Sequence, residues 1–361
     1  MKPMKFNISE LKEYTNEEKL PFILHWNITE SCNLRCTHCC VPKQPVFVSL
    51  DSAYKIIDFL KEKGFFLVTL SGGECTLHPN FKEIYMRLKE AGMYISVFTN
   101  GTNFTPEIKE LFSCYKPRKV EVSIYGHTPK LFTETTQSEV GFYEFIDTLE
   151  YLKRERIRTV VKAPITNKNH QYIQEYINIA QSYDAEYKFG TFVFPRLDGD
   201  ASPLKERLDY KKAVEIEFRD KKSREGFADR VNTKGVNAEP FVNKCAACSN
   251  SYTLNADNSF SFCGMMVEPK FYFETNEKSI EEAFLSVTKY RNKVIEIYDN
   301  GPCKKCSWAN ACPGCPAHLM LETGQVDKCN TYFHDITQEK LAYLTYNDLL
   351  DESVKSILDM G

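Results

Sequence analysis

The chain lacks any run of apolar residues long enough to span a bilayer, so no membrane-crossing helix is expected. It also lacks a basic excess. Its 46 Lys and Arg face 49 Asp and Glu, for a net charge of −3, which argues against a general nucleic-acid binder. The first residues, MKPMKFNISELKEY, include basic side chains but no apolar core of the kind a secretory signal needs. A cytoplasmic protein is therefore expected. Cysteine, by contrast, is plentiful, with 14 in 361 residues. Disulfides do not persist in the cytoplasm, so clustered thiols there point to metal binding or redox work. Eleven of them fall in three regions, Cys32–Cys39, Cys245–Cys263 and Cys303–Cys329, while Cys40, Cys75 and Cys114 stand apart. With 42% hydrophobic residues, the chain can build one large domain plus a smaller one.

The first cysteine region reads CNLRCTHCC, with Cys32, Cys36 and Cys39 in a C-x3-C-x2-C pattern after an apolar strand, Phe22–Ile28. Cubic iron–sulphur clusters normally take four cysteines. Three thiolates on a tight loop would hold three irons and leave the fourth open to a ligand. A zinc knuckle completed from elsewhere uses similar corners and stays open as an alternative.

Beyond this loop, apolar runs and helical periodicity alternate. Strands are expected at Phe65–Leu70, Tyr94–Phe98, Lys119–Ile124, Arg158–Pro164 and Tyr187–Phe194. Helices are expected after Ser49, after Asn80, near 105–114, around Phe142–Leu152 and near 169–182. Six strands alternating with helices imply a parallel sheet with right-handed crossovers, and an active site at the strands' C-terminal ends. Gly72, Gly73 and Glu74 follow the second strand, and Asn100 follows the third. Ser123 and Lys162 lie near the ends of the fourth and fifth. Residues 195–240 are charged, and LKERLDYKKAVEIEFRDKK reads as a solvated helix bridging to a second domain.

CNLRCTHC, SGGECTLHP, TNGT and VSIYG, in that order, resemble the radical S-adenosylmethionine (radical SAM) enzymes over roughly residues 20–200. The resemblance implies an α/β fold, a partial (β/α)6 TIM-like barrel. It also implies S-adenosylmethionine chelated to the open iron of a 4Fe–4S cluster on Cys32, Cys36 and Cys39. His38 takes the place of the aromatic residue near the adenine, and Gly72, Gly73 and Glu74 match the motif receiving the methionine amine. Asn100 and Ser123 match cofactor-side positions, and Lys162 is a candidate for the cofactor carboxylate. Cys75 stands where many relatives have proline or another residue, and it is a candidate hydrogen-atom donor beside the cofactor. Its alternative is a small buried filler.

The later cysteines run C-x2-C-x14-C, then C-x2-C-x5-C-x2-C, then Cys329. Behind a radical SAM domain this resembles the SPASM extension, a small Cys-rich iron–sulphur domain with two auxiliary 4Fe–4S clusters. Crossed ligation, by that resemblance, would give one cluster Cys245, Cys248, Cys263 and Cys315, and the other Cys303, Cys306, Cys312 and Cys329. SYTLNADNSFSFC fits the hairpin between the first cysteines. The domains read as an N-terminal extension (1–20), the barrel (21–200), a bridge (201–240), the SPASM domain (241–335) and a C-terminal helix (336–361).

Such an architecture implies three clusters, a 5′-deoxyadenosyl radical, and a hydrogen atom taken from a ribosomal peptide or protein substrate. The product would be a cross-link, an epimer or a related modification. Implied partners are the substrate, a one-electron donor such as flavodoxin or ferredoxin, and a separate leader-peptide-binding protein. The alternatives are anaerobic sulfatase maturation, which Gly264 in the usual aspartate's place argues against, small-molecule work like the haem-pathway relatives, and a non-enzymatic electron carrier.

Overall fold

The computed structural model describes residues 7–235, 245–352 and 354–355. The ends of the expected extension and C-terminal helix, and the junction expected between bridge and Cys-rich domain, lie outside these residues. A short helix, α1 (Ile8–Glu17), opens the described chain, with the Asn7 side chain accepting from the Ser9 amide. Strands β1 (Ile23–Thr29), β2 (Leu67–Gly72), β3 (Tyr94–Thr99), β4 (Lys119–Ser123), β5 (Thr159–Pro164) and β6 (Glu186–Gly190) then alternate with helices. These are α2 (Leu50–Glu62), α3 (Phe81–Glu90), α4 (Pro106–Cys114), α5 (Pro129–Thr136), α6 (Phe142–Arg154) and α7 (Ile173–Ser182).

All six strands are parallel and pair in sequence order. No pairing joins β6 to the far edge among the described residues, so the barrel is open and therefore partial. The two faces of the sheet differ sharply. Leu24, Trp26, Ile28, Val68, Leu70, Ile95, Val97, Val120, Val122 and Val161 point one way into a continuous core shared with the helices. Each such side chain, fully removed from water, contributes about 1.5–3 kcal/mol. The alternate residues in register, among them His25, Thr69, Ser96, Lys119, Glu121, Lys162 and Lys188, form a polar opposite face.

The second half of the chain extends the same sheet. Strand β7 (Ser251–Asn255) lies parallel to β1, and β8 (Ser259–Ser261) and β9 (Phe271–Tyr272) follow antiparallel. The expected hairpin forms with Leu254 opposite Phe260, and its turn closes on Asn258 at φ +57°.

The remaining helices are α8 (Tyr210–Arg219), α9 (Lys221–Lys234), α10 (Glu277–Asn300), α11 (Pro316–Thr323) and α12 (Thr331–Tyr346). Helix α8 is not solvated as its charges suggested. It buries Ala213, Val214, Ile216 and Phe218, Phe218 packs edge-on against Tyr343 of α12, and Lys340 pairs with Glu217 at 2.6 Å. The C-terminal helix starts earlier than expected and ends at Tyr346, where the chain turns through Asp348 at φ +54°.

Candidate active site

The cysteine loop leaves β1 at Thr29 and is fastened on two sides. Gly73 donates to the Thr29 carbonyl (2.9 Å) and Glu74 to that of Ser31 (2.8 Å). Arg35 and Thr37 donate to the Thr136 and Thr135 carbonyls at the C-terminal end of α5 (2.8 and 3.0 Å). Helix α5 has no counterpart in the sequence reading, though Thr128-Pro129 is a recognisable cap and first-turn pair. Its Phe132 packs with Leu34 and Cys36 in a small core that Cys32, Cys39 and Tyr125 border. The three thiols are close enough to perturb one another. Burial pushes Cys36 up to about 12 and the neighbouring Cys39 adds to this, while Lys43 opposes it. Cys32 is raised as well, chiefly by burial.

Gly72 and Gly73 serve a close approach, but to backbone. Gly72 sits at φ +139°, and a Cβ there would lie 2.0 Å from the Thr29 carbonyl oxygen. At Gly73 it would lie 2.3 Å from that of Ser31. Both glycines thus let the end of β2 press against the strand leading into the cysteines. The Glu74 side chain is 0% exposed, and four donors already reach it. Its Oε1 accepts from the Thr76 amide, the Thr76 hydroxyl and the Thr99 hydroxyl (3.1, 2.7 and 2.8 Å), and its Oε2 accepts from the Asn100 amide (2.6 Å). Burial raises its pKa, and these bonds work against the rise. The Asn100 side chain donates to Asn33 at 2.9 Å and lies 3.9 Å from the Cys32 sulphur.

Cys75 is 0% exposed in the main core, with its thiol donating to the Phe98 carbonyl at 3.2 Å. Burial, and then the Glu74 charge, push that thiol far above its ordinary value. His38 rests against the Tyr125 ring, and its buried Nδ1 has no protein partner. Burial holds its pKa down at about 4, so the imidazole is neutral at pH 7. Ser123 lies close enough to act on the Tyr125 hydroxyl, and Tyr125 on Cys36, so the end of β4 borders the cysteine loop. Lys162 is directed elsewhere: it pairs with Glu121 at 2.6 Å and lies over the Phe98 ring at 4.2 Å.

The later cysteines gather into two groups. Cys303, Cys306, Cys312 and Cys329 line a cavity of about 190 Å³ together with Tyr298 and Phe333. Burial raises Cys303 to about 11, and Cys312, Cys329 and Cys306 reinforce the shift. Cys245, Cys263 and Cys315 line a second cavity of about 40 Å³. Burial raises the Cys248 pKa, and Cys263 and Cys245 add to the rise, which puts Cys248 beside that cavity.

Residues 26–181 match the radical SAM superfamily. These residues form a radical SAM domain. The AdoMet-dependent heme synthase of Methanosarcina barkeri is 23% identical to this protein, over 84% of this chain and 93% of the synthase. The subtilosin biosynthesis protein AlbA of Bacillus subtilis is 27% identical over 57% of this chain. The mycofactocin maturase MftC of Mycobacterium tuberculosis is 29% identical over 46%. The chain spans about half the length of these two relatives (49% and 43%). Among solved structures, Streptococcus suis SuiB bound to its precursor peptide SuiA shares the fold at TM-score 0.69 and 13% identity, over 90% of this chain and 80% of SuiB. The protein anSMEcpe with bound AdoMet and the Cp18Cys peptide shares it at TM-score 0.69 and 16% identity, over 94% and 100%.

A radical SAM domain implies S-adenosylmethionine and a 4Fe–4S cluster. The residues of this radical SAM domain fit that pair: three bunched thiols on a loop fastened at both sides, and beside them an orphaned buried imidazole nitrogen.

Proposed function

We propose that this enzyme modifies a ribosomally made peptide or protein, removing a hydrogen atom from an unactivated carbon. S-adenosylmethionine, bound to a reduced 4Fe–4S cluster, supplies the 5′-deoxyadenosyl radical for that removal. In this reading Cys32, Cys36 and Cys39 hold the cluster. Asn100 and the GGE turn fix the loop's position, His38 lies at the adenine, and Ser123 and Tyr125 complete the wall. The neutral imidazole offers a hydrogen-bonding group without adding charge beside a sulphonium.

The observation that carries the reading is the pair of cysteine groups outside the matched domain, each around its own cavity. They support two auxiliary 4Fe–4S clusters with the crossed ligand sets, in which Cys315 serves with Cys245, Cys248 and Cys263. Clusters with four protein thiolates each have no open iron, which suits electron transfer. A flavodoxin- or ferredoxin-type donor would deliver electrons, and a separate leader-binding protein would bring substrates that need one. The similarity to AlbA and MftC supports a peptide substrate.

The test is anaerobic incubation of the reduced, reconstituted enzyme with S-adenosylmethionine and the small peptides encoded beside its gene, read by mass spectrometry. A product lighter by two mass units indicates a cross-link, and unchanged mass with solvent deuterium indicates epimerisation. If no 5′-deoxyadenosine is formed, the reading fails. A second reading, small-molecule chemistry of the haem-pathway kind, is favoured by one observation: the heme synthase match runs over 84% of the chain. It predicts turnover of a free small molecule and none of any peptide.

A further inference from the structure

The polar face of the sheet carries a charge imbalance that the radical chemistry does not use. His25, in the middle of a central strand, keeps solvent access although protein surrounds it on most sides, so it lies in a recess over this face. Three lysines face the recess from adjacent strands: Lys119 of β4, Lys162 of β5, and Lys188 of β6, which is in register beside Lys162. A fourth, Lys12, reaches it from α1. It lies close enough to act on His25, and Lys119, Lys188 and Arg118 in turn act on Lys12.

Among the described residues one carboxylate ion-pairs with these lysines, and the pocket that Lys188 lines also holds Asp220 and Glu217, the latter held by Lys340. Glu121 is 3% exposed and is shared by Lys119 and Lys162. Glu186, at the start of β6, is held by Arg158 at 2.7 Å. Lys188 and Lys12 have no ion-pair partner among the described residues, and Lys188 is exposed. The consequence registers on both sides of the cluster. Burial, and then Arg118, Lys119 and Lys188, hold Lys12 below the usual lysine range. Burial, and then Lys12 and Lys162, hold His25 below the usual histidine range, with Glu121 opposing.

Like charges gathered in one recess concentrate a field that draws in anions. Among the described residues neither Lys12 nor Lys188 closes an ion pair. We infer that this recess receives carboxylate groups of the substrate, seated between Lys188, Lys162 and Lys12. This inference rests on the reading that the barrel acts on a peptide. It makes that peptide acidic near the reacting residue, so that its carboxylates would anchor the segment while the reacting carbon lies towards the cysteine loop. A free polycarboxylate offers the same chemistry.

The experiment is anaerobic isothermal titration of reconstituted holoenzyme containing S-adenosylmethionine, with three probes. These are a blocked pentapeptide with three glutamates, its glutamine twin, and citrate. The acidic peptide should bind about tenfold more tightly than its twin at low salt, and the preference should shrink as salt rises. Lys188→Gln should lose at least half of that preference, and Lys12→Gln/Lys188→Gln nearly all of it, with circular dichroism reporting that each variant is folded. Citrate binding with the same losses, while the peptides bind alike, supports the carboxylate site and assigns it to a small molecule. The inference is overturned if neither acid is preferred, or if the preference survives in the double variant. Release of 5′-deoxyadenosine by the wild-type enzyme, measured separately, reports on the parent reading and is independent of the titration.

Discussion

The backbone amide of Asn100 donates to the buried carboxylate of Glu74 at 2.6 Å, and the Asn100 side chain donates to Asn33 at 2.9 Å. Asn33 directly follows Cys32, so the end of β3 ties the GGE turn to the cysteine loop in two steps. The turn's acidic residue is thus an internal fastener whose oxygens are occupied by protein donors.

Glu74→Gln replaces an oxygen by an amide nitrogen among four donors. At least one donor then faces another donor and is left unpaired. A loss of about 2–4 kcal/mol in stability is expected. It should appear as a lower urea midpoint, together with a lower iron content after reconstitution because the cysteine loop loses its support. An unchanged midpoint would remove the fastener role.

Cys315→Ala tests the crossed ligand sets. Iron should fall from about twelve to about eight per chain, counting four irons per site, while S-adenosylmethionine is still cleaved at the first cluster. Cys36→Ala should instead abolish 5′-deoxyadenosine. Iron quantification and chromatography of the nucleoside read both outcomes, and a Cys315→Ala protein with full iron would sink the assignment.

Cys75→Ala should cost about 1 kcal/mol, the order expected for deleting one buried heavy atom with its weak hydrogen bond to Phe98. Product yield and stereochemistry should not change. A product of altered configuration would instead reinstate the thiol as a hydrogen donor.

Glu121 gives a pH signature. Burial alone would raise its pKa, but the hydrogen bonds from Lys119 and Lys162 outweigh it and hold the carboxyl below its ordinary 4.5. The folded state therefore binds this proton less readily than the unfolded chain. The stability it adds is fully present above about pH 4.5 and is lost as pH falls through the lower folded value. The difference in urea midpoint between wild type and Glu121→Gln, measured on cluster-free protein, should be largest near neutrality and shrink below pH 4.5. A difference independent of pH would contradict the pairing.

The strands were legible because one face of each is buried and apolar, and Lys119-Val120-Glu121-Val122-Ser123 even shows the alternation of a two-faced strand. Helix α5 was missed because eight residues with few apolar positions carry too little periodicity, although its Thr-Pro start was visible. The character of α8 was misjudged from its charges. Ala213, Val214 and Ile216 form a stripe whose partner, α12, lies more than a hundred residues later. The cysteine motifs were legible by spacing alone. The occupation of Glu74 was not, because its donors Thr99 and Asn100 come from another strand. Nor was the destination of Lys162, which depends on a neighbour across the sheet.

The pairing of β7 with β1 bears on how the protein is made. Asn27 and Asn255, whose side chains hydrogen-bond across it, are 228 residues apart. A nascent chain emerging from the ribosome therefore presents its first three cysteines long before the strand that flanks them has been synthesised. Contacts of such separation form late and slowly. During that interval the loop is open on one side, so its three thiols are most accessible before β7 is made.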